Sequence, residues 1–260
     1  MPANMSRLGK IEVFEDFLHF EDNIAATGAA SGIVNGTGYV SVGDVGLVSV
    51  NEGSLAWTID EPGGILALTT DTGDDDNDFL VAGRFEPNDG GCVAEFRFKI
   101  DSITEGAIYA GFCETLAFDT PVMPAEFATA TMTYNGTGGM VGFNWDPDGT
   151  TDDFRALQGD GAAGGTGSGT TGVRASDAVV VDEWFTARVE LDPAGTSRCY
   201  LGHKGGANGV MNLVQEFTTA GITPTDQFYA TLGCENRGAN ANVFEVDYFY
   251  AQGWRDWAVT

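Results

Sequence analysis

The sequence alternates apolar and polar residues with a period of two, and no other regularity in it is as persistent. Trp184–Leu191 is the clearest stretch: Phe185, Ala187, Val189 and Leu191 fall on one side, Thr186, Arg188 and Glu190 on the other. Successive strand side chains point to opposite faces, so this reads as a strand with one buried face. Cys92–Ile100 repeats the pattern, with Cys92, Ala94, Phe96, Phe98 and Ile100 inward. A chain built this way folds as layered sheets, and the class it predicts is all-β with little or no helix.

Some fifteen candidate strands follow, at the spacing of a sandwich or barrel. They are Leu8–Phe20 (read as strand for its density of Val and Phe), the hairpin Tyr39–Val42 with Leu47–Val50, Ser54–Asp60, Ile65–Thr70 and Phe79–Phe85. Next come Cys92–Ile100, Ala107–Cys113, Thr129–Tyr134, Met140–Trp145, Ala178–Val181 and Trp184–Leu191. The series ends with Arg198–Leu201, Asn212–Phe217, Phe228–Cys234 and Val243–Tyr250. The 37 glycines cluster between these runs, and the low-complexity stretch 159–172 reads as a surface loop within one domain spanning 1–260.

Charge bounds the partners. With 38 acidic and 12 basic residues the net charge is −26, a surface that repels nucleic acid and anionic membranes. Met1–Lys10 lacks the apolar core of a secretory signal, and no apolar run reaches the roughly 18 residues of a bilayer span. The four cysteines are too few for a disulfide scaffold, and Cys92 and Cys234 read as small buried hydrophobes.

Reactive motifs are sparse. A retaining glycanase needs two carboxyls about 5 Å apart. Sandwich-fold glycanases often carry them as Glu-x-Asp-x-x-Glu on a strand. Glu245-Val246-Asp247 supplies the first half, but Tyr250 occupies the final position. Only His19 and His203 could serve a nucleophile; the first sits in a strand and the second in a glycine-rich turn, where it should be solvated. No nucleophile elbow, phosphate loop or zinc pattern is present. The oxygen-rich loops Asp71–Asp78 and Asp146–Asp153 are candidates for calcium, though neither has EF-hand spacing and acidic turns are rich in Asp in any case. Trp145, Trp254 and Trp257 are candidates for a sugar platform, against a core role. No catalytic, cofactor or metal residue is assigned.

The strand Trp184–Leu191, the turn Asp192-Pro193-Ala194-Gly195, the strand Arg198–Gly202 and the final Val243–Tyr250 strand with its Asp247-Tyr248 together resemble concanavalin-like (laminin-G-like) jelly-roll sandwiches. The resemblance is nearer to versions found in virion proteins of tailed bacteriophages, whose first strand, here around Phe14–Phe17, pairs beside the last. Many relatives carry Asp-Gly after the Tyr-bearing strand; Leu201-Gly202-His203 lacks that Asp, so no family sugar or calcium site transfers. The resemblance implies an antiparallel jelly-roll β-sandwich and a non-enzymatic capsid decoration (cement) protein on the virion exterior. Its partner would be the major capsid protein, and the protein itself a homo-oligomer such as a trimer. The alternative is a glycan-binding, lectin-like tail-fibre or adhesin module.

Overall fold

The computed structural model describes residues 10–17, 39–43, 53–58, 64–116, 122–128, 131–134, 138–149, 153–159, 173–203, 210–218 and 222–254. Seventeen strands run through them: β1 (Lys10–Glu15), β2 (Tyr39–Gly43), β3 (Ser54–Trp57), β4 (Leu66–Thr69), β5 (Asn77–Phe85), β6 (Cys92–Ile100), β7 (Gly106–Cys113), β8 (Ala125–Ala128), β9 (Thr131–Tyr134), β10 (Met140–Trp145), β11 (Asp153–Gly159), β12 (Val173–Ala178), β13 (Phe185–Leu191), β14 (Ser197–His203), β15 (Asn212–Phe217), β16 (Phe228–Asn236) and β17 (Val243–Trp254). The one helical element among them is a 3-10 turn at Pro87–Asp89.

Two antiparallel sheets face each other. An eight-stranded sheet runs β15-β14-β13-β6-β17-β4-β3, with β1 also pairing with β17, and a seven-stranded sheet runs β12-β11-β10-β7-β16-β5-β2. The first strand does pair with the last, Phe14 opposite Tyr250. One core fills the space between the sheets and draws on strands from β1 to β17, with Phe98, Phe154 and Phe185 in mutual ring contact at its centre.

The two sheets differ in what covers them. β6 and β13 bury every second residue, the pattern of a sheet with one wet face. β7 and β10 bury every residue, because the outer side of their sheet is roofed by the β8–β9 pair. That roof closes a second apolar cluster, in which Phe127, Met132 and Tyr134 pack with Tyr109, Phe79 and Leu157.

Several expectations need correction. Ala178–Val181 is not a strand: β12 ends at Ala178, and Val180 and Val181 emerge exposed. β8, β11 and β12 escaped the sequence reading. The first strand is shorter than Leu8–Phe20, ending at Glu15 before Phe17 adopts a positive φ of 52°. Leu47–Val50, His19, Trp257 and residues 160–172 lie outside the described residues.

Bulges interrupt the strand ladders. Between Phe228↔Phe85 and Ala230↔Ala82 the register shifts, so Gly83 and Arg84 oppose Tyr229. Gly83 has φ +80°, and a Cβ there would drive into the Phe85 ring, so the bulge requires glycine.

Candidate functional site

The half-motif Glu245–Asp247 lies on β17 beside a second bulge, between Val246 and Tyr248. Two residues apart on the strand, both acids reach the outer face of the eight-stranded sheet, where each meets a base on β6, and the bulge brings Tyr248 out beside them. Glu245 pairs with Lys99 at 2.6 Å and accepts from the Thr58 hydroxyl at 3.1 Å; Asp247 pairs with Arg97. Neither carboxylate is held free for attack or proton transfer, and Tyr250, in the position of the missing acid, hydrogen-bonds to Glu12 and Gln252.

The same face continues as a ladder of paired charges. Arg188 bonds Glu95 (3.1 Å) and Glu190 (2.7 Å), Arg198 bonds Glu216 (2.6 Å), and the Tyr248 hydroxyl donates to Glu95 (2.7 Å). Trp184 lies under the Arg97 guanidinium, 4.6 Å from the ring centre. Burial, and then the hydrogen bond to a carboxylate, push the Tyr248 phenol above its ordinary value. Five of the chain's twelve bases point outward from these strands (Lys10, Arg97, Lys99, Arg188, Arg198) against six acids (Glu12, Glu95, Glu190, Glu216, Glu245, Asp247), while Glu15 of β1 is buried.

The two acidic loops, candidates for calcium, are brought together by a residue the sequence reading passed over. Arg237, just past β16, reaches Asp75 of the first loop (2.8 Å) and Asp146 of the second (2.9 Å), with Glu235 at 3.2 Å and Glu126 at 3.6 Å. Asp146 is fully buried and also accepts from the backbone N–H groups of Phe127 (2.7 Å) and Asp148 (3.0 Å). The Asn236 amide donates to the carbonyls of Asp71 and Gly73, and Asp76 caps the Gly73 N–H. A guanidinium therefore stands where a cation would have been sought. Among the described residues no group of three or more His, Cys, Asp or Glu side chains is arranged to hold a metal ion.

Burial in this cluster perturbs two of the carboxylates, Glu235 and Glu126. Burial, reinforced by Glu126, Asp75 and Asp146 and opposed by Arg237, pushes Glu235 up to about 8. Burial raises Glu126 as well, with Arg237 opposing. Arg237 itself is raised: burial works against its charge, but the hydrogen bond to Asp146 and the surrounding carboxylates outweigh it.

The remaining candidates are absorbed by the fold. His203, expected in solvent, ends β14 stacked on Phe185 (4.5 Å between centres, 5° between planes) and paired with Glu183. Trp145 is a core residue. All four cysteines are buried and reduced, and burial pushes the Cys92 and Cys113 thiols up to about 12, where they are inert. A shallow, open depression of about 170 Å³ lies beside the β13–β14 turn, lined by Gly91, Glu190, Asp192 and Arg198 among others, whose charged groups already pair internally.

No family model matches the chain, and no curated protein matches it. Several solved structures share its fold. A protein of unknown function from Shewanella oneidensis MR-1 has a TM-score of 0.62 at 10% identity, over 100% of this chain and 92% of the other. Peanut lectin with a nine-residue peptide gives 0.56 at 12% identity, over 94% and 97%. The potassium-bound carbohydrate recognition domain of Emp46p gives 0.51 at 11% identity, over 90% and 98%. With the topology above, these establish the class: a lectin-like, concanavalin-type antiparallel β-sandwich.

Proposed function

We propose that this chain is a non-enzymatic binding protein that acts through a broad surface, and that its place is the exterior of a phage capsid, where it decorates and cements the major capsid protein. The observation that carries the first part is the mutual saturation of charge: the Glu245–Asp247 pair, Asp75 and Asp146 of the acidic loops and the described histidine are all bound to internal partners. What remains for recognition is the protein's extended surface. The capsid assignment rests on the sequence resemblance and on an acidity that suits an outward-facing coat and disfavours nucleic acid. Capsid-stabilising contacts require extended area and no reactive group.

A second reading is glycan recognition, favoured by a fold shared with peanut lectin and the Emp46p carbohydrate recognition domain, and by Phe14, 51% exposed beside the Tyr248 and Tyr250 rings. Co-sedimentation with capsids stripped of accessory proteins, in calcium and in chelator, tests the first reading. Saturable binding indifferent to chelator is expected. Absence of capsid binding, with a positive glycan array, would transfer the assignment to the second.

A further inference from the structure

The outer face of the eight-stranded sheet contains a row that is its own complement. Reading across paired residues from β15 to β1, it runs Leu213, Tyr200, Arg188, Glu95, Tyr250, Phe14. The order is apolar, tyrosine, base, acid, tyrosine, apolar, and its midpoint falls between β13 and β6. At about 4.8 Å per strand the row spans roughly 24 Å. Its two ends are the exposed large apolar side chains of the sheet's strands, Phe14 at 51% and Leu213 at 52%.

We propose that this face docks a second copy of the same chain. A two-fold axis lying between two such sheets, parallel to the strands and over the β13–β6 boundary, maps the row onto itself in reverse. Phe14 then meets the second copy's Leu213, Tyr250 its Tyr200, and Arg188 its Glu95, each contact made twice, as an isologous interface requires. The next row toward the β13–β14 turn is Glu216, Arg198, Glu190, Val93, Gln252, Glu12. Under the same axis it sets Arg198 over Gln252. It also sets Glu216 opposite Glu12 at the rim, where each acid already has a base of its own chain at 2.6 and 3.3 Å.

Charge singles out this face and this occupant. The five bases and six acids that its strands point outward leave the face a net −1, while the whole chain carries −26. Two copies repel one another through the rest of their surface and meet without net repulsion here. A basic partner would gain nothing from a neutral face. The two occupants differ in the sign of their salt dependence: screening strengthens contact between like-charged copies and weakens contact with a basic protein.

Sedimentation equilibrium of the full chain tests this, at about 0.1 M and about 1 M salt, which shortens the screening length from about 10 Å to about 3 Å. The expected result is a dimer whose dissociation constant falls at the higher salt. Phe14→Glu and Leu213→Glu should each raise it by about tenfold or more, as loss of an apolar anchor does. Val122→Glu, equally exposed but off the face, should leave it unchanged. Both face variants alter exposed positions, and an unchanged melting temperature will show that they fold. A monomer at both salts overturns the proposal, as does a dimer indifferent to both face substitutions. The result is independent of capsid or glycan binding.

Discussion

Replacing Arg237 with Leu keeps an apolar stem and removes the cation that joins the two acidic loops. The cost can be built contact by contact. Asp75 is 67% exposed on its side chain, so its pair is a surface ion pair worth at most about 1 kcal/mol. Glu126, at 3.6 Å, adds a similarly small amount. Glu235 escapes by keeping its proton, since its carboxyl is already pushed up to about 8. Asp146 is fully buried, and without Arg237 its carboxylate keeps only the Phe127 and Asp148 N–H groups as partners. Stranding a buried charge in this way costs about 3–5 kcal/mol. For a chain of this length that corresponds to a drop in melting temperature of about 10 °C. Urea unfolding followed by tryptophan fluorescence measures it. Asp146→Asn in the Arg237→Leu background should recover most of the loss, with a coupling energy of about 2 kcal/mol or more. A loss below about 1 kcal/mol in the single variant, or no recovery in the double, would refute the view that the guanidinium neutralises a buried Asp146.

Glu235 gives the fold an unusual pH response. Its folded-state value of about 8 lies above its ordinary 4.5, so between these the folded protein holds a proton the unfolded chain has released. This group's stabilisation is fully present below pH 4.5 and lost as pH rises through 8. Glu235→Gln should therefore gain stability relative to the parent on going from pH 5 to pH 9, on the order of 1–3 kcal/mol by urea unfolding; a constant difference would count against a buried, protonated Glu235. Because Arg237 spans the two acidic loops, millimolar calcium and chelator should leave the melting temperature unchanged, and a calcium-dependent rise would restore the loops as a metal site. The buried thiols should stay unreactive toward a water-soluble disulfide reagent in the native state and all four should titrate on unfolding; rapid native labelling would contradict their burial.

How far the sequence reveals this molecule depends on burial symmetry. β6, β10 and β15 occur at the residues their patterns predict, Cys92–Ile100, Met140–Trp145 and Asn212–Phe217. β11 was missed because it starts in an Asp-rich loop and ends in glycine, and β12 because Val173–Ala178 alternates too weakly to stand out. β8 is four residues long and belongs to a roof whose existence depends on the sheet beneath it. The candidate site was harder to read for a physical reason: Arg237 lies 91 residues from Asp146 and 162 from Asp75, so no local spacing links them. The available hint was scarcity, since a chain with few bases places each one where acids are dense. The ladder on the outer face is half visible, its acids and bases falling at every second residue of β6 and β13 and two acids on β17, but which acid meets which base follows from strand order alone.

The central claim, that this sandwich works as a surface and its physiological surface is a capsid, is tested most directly by the saturation ratio on stripped capsids, measured by quantitative co-sedimentation with free glycans as competitors. The account predicts a plateau at a fixed ratio to the major capsid protein, unmoved by glycan and by chelator. Failure to bind capsids, or binding that glycans abolish, would contradict it.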